Sequence, residues 1–582
     1  MKRGVRFVLV FIGLAVMVSM AGVVLMYLAV SRGPTIPSTA MLVLRPGGEI
    51  QEMVPDDLFG LLGRNTQTVR GFIDGLEKAK RDPRIHAVLL MPSGLSVPYW
   101  AKVQELRDAI IDFRKSKKTV VAFLEYGGDH EYYLASAADK VYLLPTSPLD
   151  LTGVASYEIF LRGTLDKIGA YPDFLHVGEY KTAVNQMTEK GYTPAHKEMS
   201  ESLNRDMYDQ LVRGIAEARG KTEQEIRALI DQGPFVPEDA LRHGLVDGLA
   251  YEDQLDDRVA ELRSGSRELR RIEGSDYQRA ASRLGRGPRI AVIYAVGTIA
   301  SGRNAFDPLN GAVVGSDSLV EQIREVRDDS SVKAIILRVD SPGGSSVASD
   351  VIWRELMITR DKSPDRPLIA SMSDLAASGG YYISLPAQVI VAQPATLTGS
   401  IGVYSGKIAV GGTLNKLGVT TGTVAAGANA DIYSPFAPFS PAQRARLQDH
   451  MQGFYENFVE KAAESRKTTP EKIDQVAQGR VWTGRQAREH GLVDALGGLD
   501  VAVRIAKERA HIPADQDVEL VTYPARRTLL QTISDQFGGG QMNIWSVLSG
   551  GAEQRAVAAL TAPARLFRRG EPLALMPYAF VR

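Results

Sequence analysis

Short apolar runs bounded by glycine, proline and aspartate alternate along the chain with longer segments in which apolar residues recur every three or four positions. Such short runs predict buried strands and such longer segments predict helices, which together indicate an α/β fold. The predicted strands are residues 41–44, 87–91, 120–124, 141–144, 290–295, 334–339, 368–372 and 389–392. Leu447, Met451 and Phe454 lie on one helical face, which we interpret as core packing. Pro194 and Pro441 mark the first turns of two long helices.

One apolar run, residues 7–30, has no charged residue and follows Lys2, Arg3 and Arg6. At about 1.5 Å per residue, this run is long enough to cross a hydrocarbon core roughly 30 Å thick. A cleaved signal peptide, the alternative, usually has an apolar region of only about 7 to 15 residues. We therefore expect residues 1–32 to form a cytoplasmic tip and an uncleaved signal anchor, with the rest of the chain exported.

The exported part contains an internal duplication at an offset of about 247 to 249 residues. The heptapeptide His-Gly-Leu-Val-Asp-Gly-Leu that starts at His243 recurs as His-Gly-Leu-Val-Asp-Ala-Leu from His490. We expect a first repeat at 41–254, a partly helical linker at 255–288, a second repeat at 289–503 and a C-terminal extension at 504–582.

Charge and cysteine content narrow the function classes. Acidic and basic residues balance at 68 each, which disfavours nucleic acid as a partner. The chain has no cysteine, so disulfides, a cysteine nucleophile and thiolate metal sites are excluded. We expect neither a metal nor another cofactor.

Two loops of the second repeat carry candidate chemistry. The loop from Asp340 to Ser346, Asp-Ser-Pro-Gly-Gly-Ser-Ser, follows a predicted strand, and its paired glycines let bare backbone N–H groups face a ligand. The loop from Asp374 to Gly380, Asp-Leu-Ala-Ala-Ser-Gly-Gly, follows the next strand and precedes a predicted helix. Taken alone, the first loop is also typical of a simple turn, and Ser378 in the second is typical of a helix N-cap.

Together the loops fit acyl transfer, which needs a nucleophile and two hydrogen-bond donors aimed at the developing oxyanion. Ser378 is the candidate nucleophile, and Gly344 and Gly379 are the candidate oxyanion donors. The same pair of loops also suits enzymes that polarise a thioester carbonyl. The loops alone therefore do not choose a reaction.

The base that would activate Ser378 decides the reaction. His243 and His490 recur in the same repeat context, which indicates a structural role for both. His130 lies beside the first-repeat counterpart of the Ser378 loop and is the one histidine candidate, although a Ser-His-Asp triad is disfavoured. Lys181, taken alone, would be interpreted as a solvated surface lysine.

Three motifs change that interpretation. They are Ser-Asp-Leu-Ala-Ala-Ser-Gly-Gly-Tyr from Ser373, Thr-Leu-Thr-Gly-Ser-Ile-Gly from Thr396 and Gly-Glu-Tyr-Lys-Thr-Ala from Gly178. With them, the chain resembles the long form of the signal peptide peptidase A family of bacterial membrane proteases, over both repeats and the N-terminal anchor. The resemblance implies an α/β fold with a tandem duplication of a crotonase-like (Clp-protease-like) domain, preceded by one N-terminal transmembrane helix.

The resemblance also implies a catalytic Ser/Lys dyad. Ser378 would be the nucleophile, Lys181 of the other repeat the general base, and Ser400 the residue that orients the lysine. The repeats carry complementary losses, because Asp129 stands opposite Ser378 in the first repeat and approximately Ala430 stands opposite Lys181 in the second. We therefore expect one composite active site in the chain.

As a base, Lys181 must be neutral. Burial with little counter-charge lowers the pKa of a lysine from its usual value of about 10.4. Glu179, two residues from Lys181, would oppose that change if its carboxylate entered the site. We expect Glu179 to point away.

These expectations describe a membrane-anchored serine endopeptidase of the inner (cytoplasmic) membrane, single-pass, with a cytoplasmic N-terminus and a periplasmic catalytic domain. The resemblance implies remnant signal peptides and other apolar peptides as substrates, bound in extended form by β-augmentation, and a homo-oligomer, tetrameric in the long form. For residues 504–582 we expect subunit packing, with membrane-surface contact of the basic stretch 565–569 as the alternative. The alternative functions are a crotonase-type acyl-CoA enzyme and a non-catalytic membrane scaffold with a degenerate protease fold.

Overall fold

Two sheets that share the same order of six parallel strands form the centres of the two repeats. The computed structural model describes residues 17, 22, 34–53, 67–263, 268–280, 287–307, 311–524, 571–576 and 580–581. The predicted anchor and the basic stretch 565–569 therefore lie outside the described residues, apart from Met17 and Gly22. In the part of the chain that is described, no helix has the length and apolar character needed to span a membrane.

The first sheet has the strand order Gly248–Leu249, Lys140–Leu143, Thr119–Leu124, Ile85–Leu90, Ala40–Leu44 and Arg270–Glu273. The second has the order Ala495–Leu496, Val389–Ala392, Leu368–Ala377, Val332–Ser341, Arg289–Val296 and Glu519–Tyr523, with Leu397–Gly399 and Val481–Thr483 added beside Leu368–Ala377. All eight predicted strands are present. The edge strands Arg270–Glu273 and Glu519–Tyr523 lie beyond the predicted ends of the repeats, so part of the expected linker and part of the expected extension complete the two sheets.

Helices cover the faces of both sheets. In the first repeat and the segment after it they are Val69–Arg81, Ala101–Arg114, Asp129–Ala135, Arg162–Ile168, Asn185–Thr188, Pro194–Arg219, Glu223–Ile230, Pro237–Arg242, Leu255–Glu261 and Gly274–Arg279. In the second they are Ser316–Asp328, Ser346–Lys362, Gly379–Ser384, Gly411–Lys416, Pro441–Arg466, Pro470–Asp474, Gly484–Glu489 and Leu499–Arg509. The two long helices begin at Pro194 and Pro441 as predicted, and the side chains of Thr193 and Ser440 cap them.

The duplicated heptapeptides make equivalent packing contacts in the two repeats. The Tyr132 hydroxyl donates to Leu245 O at 2.6 Å, and the Tyr381 hydroxyl donates to Leu492 O at 2.9 Å. The rings of His243 and His490 pack against aromatic rings at equivalent positions, with centroid distances of 5.8 Å and 4.1 Å. Both histidines therefore pack against an aromatic ring at the same position of each repeat, with His243 half-buried and His490 exposed.

A third sheet joins the two repeats. Strand Tyr171–Val177 of the first repeat pairs antiparallel with Val403–Ala409 of the second. The sheet then continues through Leu573–Leu575, Gly343–Ser345, Thr298–Ala300, Gly311–Gly315 and Ala305–Asp307. Three short pairs complete the described strands: Gly47–Gly48 with Ser93–Leu95, Gly127–Gly128 with Leu149–Asp150, and Ser156–Tyr157 with Phe580–Val581. Both candidate loops therefore lie where the repeats meet.

Candidate active site

The two candidate loops leave the same edge of the second sheet. Val332–Ser341 and Leu368–Ala377 are neighbouring parallel strands, so the segments that follow them start side by side. The structure differs from the predicted loop bounds, because Leu368–Ala377 continues past residue 372 almost to Ser378, and Gly343–Ser345 forms a short strand of its own. The extra pairing fixes both segments more firmly than free loops would be fixed.

Ser378 occupies a sharp turn between strand Leu368–Ala377 and helix Gly379–Ser384. Its φ of 54° and ψ of −111° are a strained combination for a residue with a side chain. The backbone N–H of Ser378 donates to Gly399 O at 2.7 Å, which helps to hold that turn. Ser378 precedes the helix as an N-cap residue does, but its side chain makes no capping hydrogen bond. The hydroxyl is therefore available for other chemistry.

Lys181 is brought to Ser378 by the strand that joins the repeats. It follows strand Tyr171–Val177, and its Nζ lies 2.8 Å from Ser378 Oγ. A loop of the second repeat supports its backbone: the N–H of Tyr180 donates to Gln478 O at 2.7 Å. A Cβ on Gly479 would lie 2.5 Å from Lys181 N, so that close approach requires glycine. The two predicted dyad residues, 197 positions apart, are thus in hydrogen-bond contact.

Ser400 holds the other side of the lysine. Lys181 Nζ lies 3.0 Å from Ser400 Oγ and 3.1 Å from Ser400 O. A neutral amine has two N–H bonds and one lone pair. If the two N–H bonds point to the two oxygens of Ser400, the lone pair faces Ser378 Oγ and can accept its proton. Ser400 also has a positive φ, of 50°, and its N–H donates to Arg480 O at 2.7 Å.

The electrostatic environment favours the neutral amine. The side chains of Lys181, Ser378 and Ser400 are fully buried. Burial lowers the pKa of Lys181 well below its ordinary value, because the charged form would lose its hydration and no carboxylate in the described part of the chain pairs with it. Glu179 is exposed to solvent, as expected, and does not enter the site.

The paired glycines are required by the backbone at the entrance to the site. Gly344 has a φ of 154°, and a Cβ there would lie 2.0 Å from Ile299 O. Gly343 has a φ of 100°, and a Cβ there would lie 2.7 Å from Gly379 N. Glycine at both positions brings the two predicted oxyanion segments into contact without intervening side chains.

A strand from the C-terminal extension fills the space beside these glycines, which the sequence did not predict. Leu573–Leu575 pairs antiparallel with Gly343–Ser345, and Leu573 also pairs with Tyr404 on the other side. Ala574 lies opposite Gly344, and a Cβ on Gly379 would lie 3.2 Å from Ala574 O. The Ala574 carbonyl oxygen therefore lies close to both predicted oxyanion segments.

The side chains of this strand define an apolar cleft. Leu573 and Leu575 pack in one buried cluster with Val184 and Tyr404, against which Phe174 and Ala183 also pack. Val184 and Ala183 follow Lys181 closely in the chain. The cleft beside the lysine thus accepts alternate apolar side chains of an extended segment.

The corresponding position of the first repeat has a different environment. Asp129, opposite Ser378, accepts hydrogen bonds from Thr152 N and Gly153 N, both at 3.0 Å. His130 packs against Trp100 with a centroid distance of 4.0 Å, and burial lowers its pKa to about 4. Ala430, approximately opposite Lys181, is exposed. At these equivalent positions, neither repeat by itself supplies both a serine and a lysine.

Comparison with known proteins adds a family to this geometry. The family model "Peptidase family S49" matches residues 112–265 and 360–513. The chain is 35% identical to "Serine protease SPPA, chloroplastic" of Arabidopsis thaliana, over 81% of the chain and 70% of that protein. It is also 35% identical to "Protease 4" of Salmonella typhi, over 80% of the chain and 75% of that protein. A shorter match, to an Enterococcus faecium protein described as "Putative signal peptide peptidase SppA", is 31% identical over 41% of the chain and 68% of that protein.

Proposed function

The chain belongs to peptidase family S49 and is a serine endopeptidase, and we propose that Ser378 and Lys181 form its catalytic dyad. The observation that carries this proposal is the 2.8 Å distance between Lys181 Nζ and Ser378 Oγ in a fully buried setting. A serine hydroxyl is a weak nucleophile unless a neighbouring base takes its proton. The lowered pKa of Lys181 makes the neutral amine available for that role.

In the proposed reaction, Ser378 Oγ attacks the peptide carbonyl while Lys181 Nζ accepts the hydroxyl proton. Lys181 then gives this proton to the leaving amine, and the same nitrogen activates the water that hydrolyses the acyl-enzyme. The backbone N–H groups of Gly344 and Gly379 receive the oxyanion. Ser400 orients Nζ through its hydroxyl and carbonyl oxygens.

We propose that substrates bind as an extended strand in the space that Leu573–Leu575 occupies. Such a strand would pair with Gly343–Ser345 through its backbone and place alternate side chains in the apolar cleft. A small residue would lie opposite Gly344, where Ala574 lies now. Apolar peptides, including remnant signal peptides, fit this cleft, and the name of the Enterococcus faecium relative agrees with that substrate class.

We propose that residues 1–32 anchor the enzyme in the cytoplasmic membrane, with its N-terminus cytoplasmic and the catalytic part outside. The uncharged run 7–30 behind three basic residues supports this orientation. Fractionation of cells tests it: the full chain is expected with membranes and a version that starts at residue 33 in the soluble fraction. A full chain that stays soluble would contradict the anchor.

The repeats and the assembly are part of the same proposal. The equal strand order of the two sheets supports a duplicated crotonase-like (Clp-protease-like) domain. We propose a homo-oligomer, a tetramer by family resemblance, and the exposed apolar side chains of Leu417, Val419 and Val424 support contact with a second copy. Replacing Leu417 and Val424 by aspartate is expected to lower the mass measured by light scattering, and an unchanged mass would contradict that interface.

The dyad is tested by a peptide-cleavage assay. Full-length parent, Ser378→Ala and Lys181→Ala are compared on an apolar signal-peptide-like peptide, with His130→Ala as control for a histidine base. Lys140→Ala is the matched lysine control, because Lys140 Nζ lies 3.0 Å from Asp247 Oδ1 in the first repeat, outside the site.

We expect cleavage by the parent and by both control variants, and no cleavage by Ser378→Ala or Lys181→Ala. Cleavage that persists in Ser378→Ala would contradict the proposed dyad. Loss of cleavage in His130→Ala with an intact fold would point to a histidine base. Thioester hydrolysis without peptide cleavage by the parent would favour the acyl-CoA enzyme instead.

A further inference from the structure

The ladder between strands Val332–Ser341 and Leu368–Ala377 is interrupted a few residues before Ser378. Val339 pairs with Met372, but the next pair is Ser341 with Ala376, so residues 373–375 bulge out of register with the neighbouring strand. Ladder hydrogen bonds therefore do not fix residues 373–375 on the side of strand Val332–Ser341, whereas on the other side the ladder with Leu397–Gly399 starts at Leu375. The spacing between these two strands at residues 373–375 therefore has to be held by side chains.

Lys102, in the first turn of helix Ala101–Arg114, supplies that contact from the first repeat. Its Nζ lies 2.7 Å from Asp340 Oδ2 on one strand and 3.4 Å from Asp374 Oδ2 in the bulge of the next. Its backbone N–H donates to Asp374 Oδ1 at 2.9 Å. Asp340 Oδ1 in turn accepts from Leu375 N at 3.1 Å. Lys102 and the two carboxylates thus bridge the two strands where the ladder is broken.

The bridged positions are close in sequence to the groups that act on substrate. Asp340 is four residues before Gly344, and Asp374 is four residues before Ser378. A change in the spacing of these carboxylates moves the oxyanion donor of one segment relative to the nucleophile of the other. Displacements of about 1 Å at such sites cost roughly 10²-fold in rate.

We propose that Lys102 is a positioning residue of the peptidase, which sets the spacing between the Gly344 and Ser378 segments by bridging Asp340 and Asp374. This inference rests on the dyad proposed above. It makes the first repeat the source of two lysines for the site: Lys181 acts on the serine hydroxyl, and Lys102 acts through the two strands.

The surrounding charges determine what removal of Lys102 does. Arg338 lies behind the bulge, with Nη2 2.8 Å from Glu52 Oε1 and 2.6 Å from Glu105 Oε2. The Ser373 hydroxyl donates to Glu52 Oε1 at 2.5 Å. Arg338 is thus already shared by two carboxylates. Without Lys102, Asp340 and Asp374 would face each other, and among the described residues no other cation forms an ion pair with either.

The protonation of these groups predicts how the activity of a variant without Lys102 depends on pH. Burial opposes the charge on Lys102, but Asp340, Asp374 and Glu52 outweigh it and raise the lysine's pKa, so Lys102 is charged. Burial raises the pKa of Asp374 to about 6 even beside Lys102. Loss of Lys102 raises this pKa further, so Asp374 becomes protonated as the pH falls and the repulsion from Asp340 disappears. A variant without Lys102 is therefore less impaired at low pH.

The experiment compares full-length Lys102→Met, Lys102→Met/Asp374→Asn and the control Lys140→Met in the peptide-cleavage assay from pH 6 to pH 9. For Lys102→Met we expect kcat to fall about 10²-fold near pH 8 with KM changed less than about threefold, and the deficit to shrink toward pH 6. In the double variant, the amide introduced at position 374 can still accept from the N–H of residue 102 and can donate to Asp340. The double variant is therefore expected to recover at least about tenfold in kcat, with a deficit independent of pH.

Two results would overturn the inference. One is a kcat for Lys102→Met within about threefold of Lys140→Met; the other is a deficit that is constant with pH and is not reduced by Asp374→Asn. If Lys102→Met does not fold, Lys102→Met/Asp374→Asn tests the inference instead. A double variant that folds but is inactive would count against the positioning role of Lys102. Ser378→Ala, measured alongside, separates the two proposals. Residual cleavage by Ser378→Ala would contradict the proposed dyad, whereas full activity of Lys102→Met would contradict only the proposed positioning role of Lys102.

Discussion

Replacing Lys181 by methionine is expected to abolish cleavage and at the same time to stabilise the folded chain at neutral pH. Methionine fills similar space in the fully buried site and has no amine that must lose a proton there. Loss of a general base lowers the rate by about 10² to 10⁴-fold. The gain in stability follows from the protonation state of the lysine.

The size of the effect follows from proton linkage. Burial lowers the pKa of Lys181 in the folded chain, whereas in the unfolded chain it returns to about 10.4. Between these two values the unfolded state binds one more proton, so the stability of the parent rises with pH by about 1.4 kcal/mol per unit. Lys181→Met lacks this dependence. Its advantage over the parent is therefore largest below the folded-state pKa and falls by about 1.4 kcal/mol per pH unit between the two pKa values.

Denaturant unfolding of the full chain at pH 7.5, 8.5 and 9.5 measures this difference. The lost contacts with Ser400 subtract about 1 to 2 kcal/mol from the advantage at every pH, so the slope is the decisive quantity. Lys140→Met, measured in parallel, controls for the loss of one lysine. A difference between Lys181→Met and the parent that stays flat over this range would mean that Lys181 is charged in the folded chain and cannot act as the base.

Three further predictions concern the groups around the dyad. Ser400→Ala removes one of the two oxygens that hold Lys181 Nζ and is expected to lower kcat/KM about tenfold, whereas an unchanged value would leave Ser400 without an orienting role. Gly344→Ala puts a Cβ 2.0 Å from Ile299 O and is expected to lower kcat at least about 10²-fold. The control is Gly94→Ala in the first-repeat strand Ser93–Leu95, where φ is also positive, at 58°, but a Cβ would meet no atom within 4 Å. This control is expected to stay within about twofold, and equal effects of the two changes would refute an oxyanion role. Ending the chain at residue 570 removes the strand beside Gly343–Ser345 and is expected to lower KM for apolar peptides, and an unchanged KM would show that peptides bind elsewhere.

Much of the fold could be predicted from the sequence because its signals are local. Short apolar runs predicted eight strands, all of which are present, and first-turn prolines predicted the starts of both long helices. The repeated heptapeptides indicated the duplication, and the structure explains them through equivalent tyrosine and histidine contacts. The approach of Lys181 to Ser378 followed from motifs and complementary losses rather than from any local pattern.

The features that were missed depend on distant parts of the chain. Nothing near Leu573–Leu575 indicates that this segment pairs with Gly343–Ser345, some 230 residues earlier. The edge strand Arg270–Glu273 was assigned to a linker because its short polar sequence has no apolar run. Strand pairing at such separations is determined by the whole fold, so the sequence of the segment alone could not reveal it.

The two lysines of the first repeat show how position determines chemistry. Lys102 and Lys181 are both largely or fully buried, and both contact the strand or turn that ends at Ser378. Lys102 faces Asp340 and Asp374, which keep it charged, whereas Lys181 forms hydrogen bonds with hydroxyl and carbonyl oxygens, and burial lowers its pKa. A charged lysine can bridge two carboxylates but cannot take a proton, and a neutral one can take a proton but bridges carboxylates weakly. Exchange of the two environments would remove both functions, so an aspartate introduced beside Lys181, as in Ser400→Asp, is expected to raise its pKa and abolish cleavage at neutral pH without loss of the lysine.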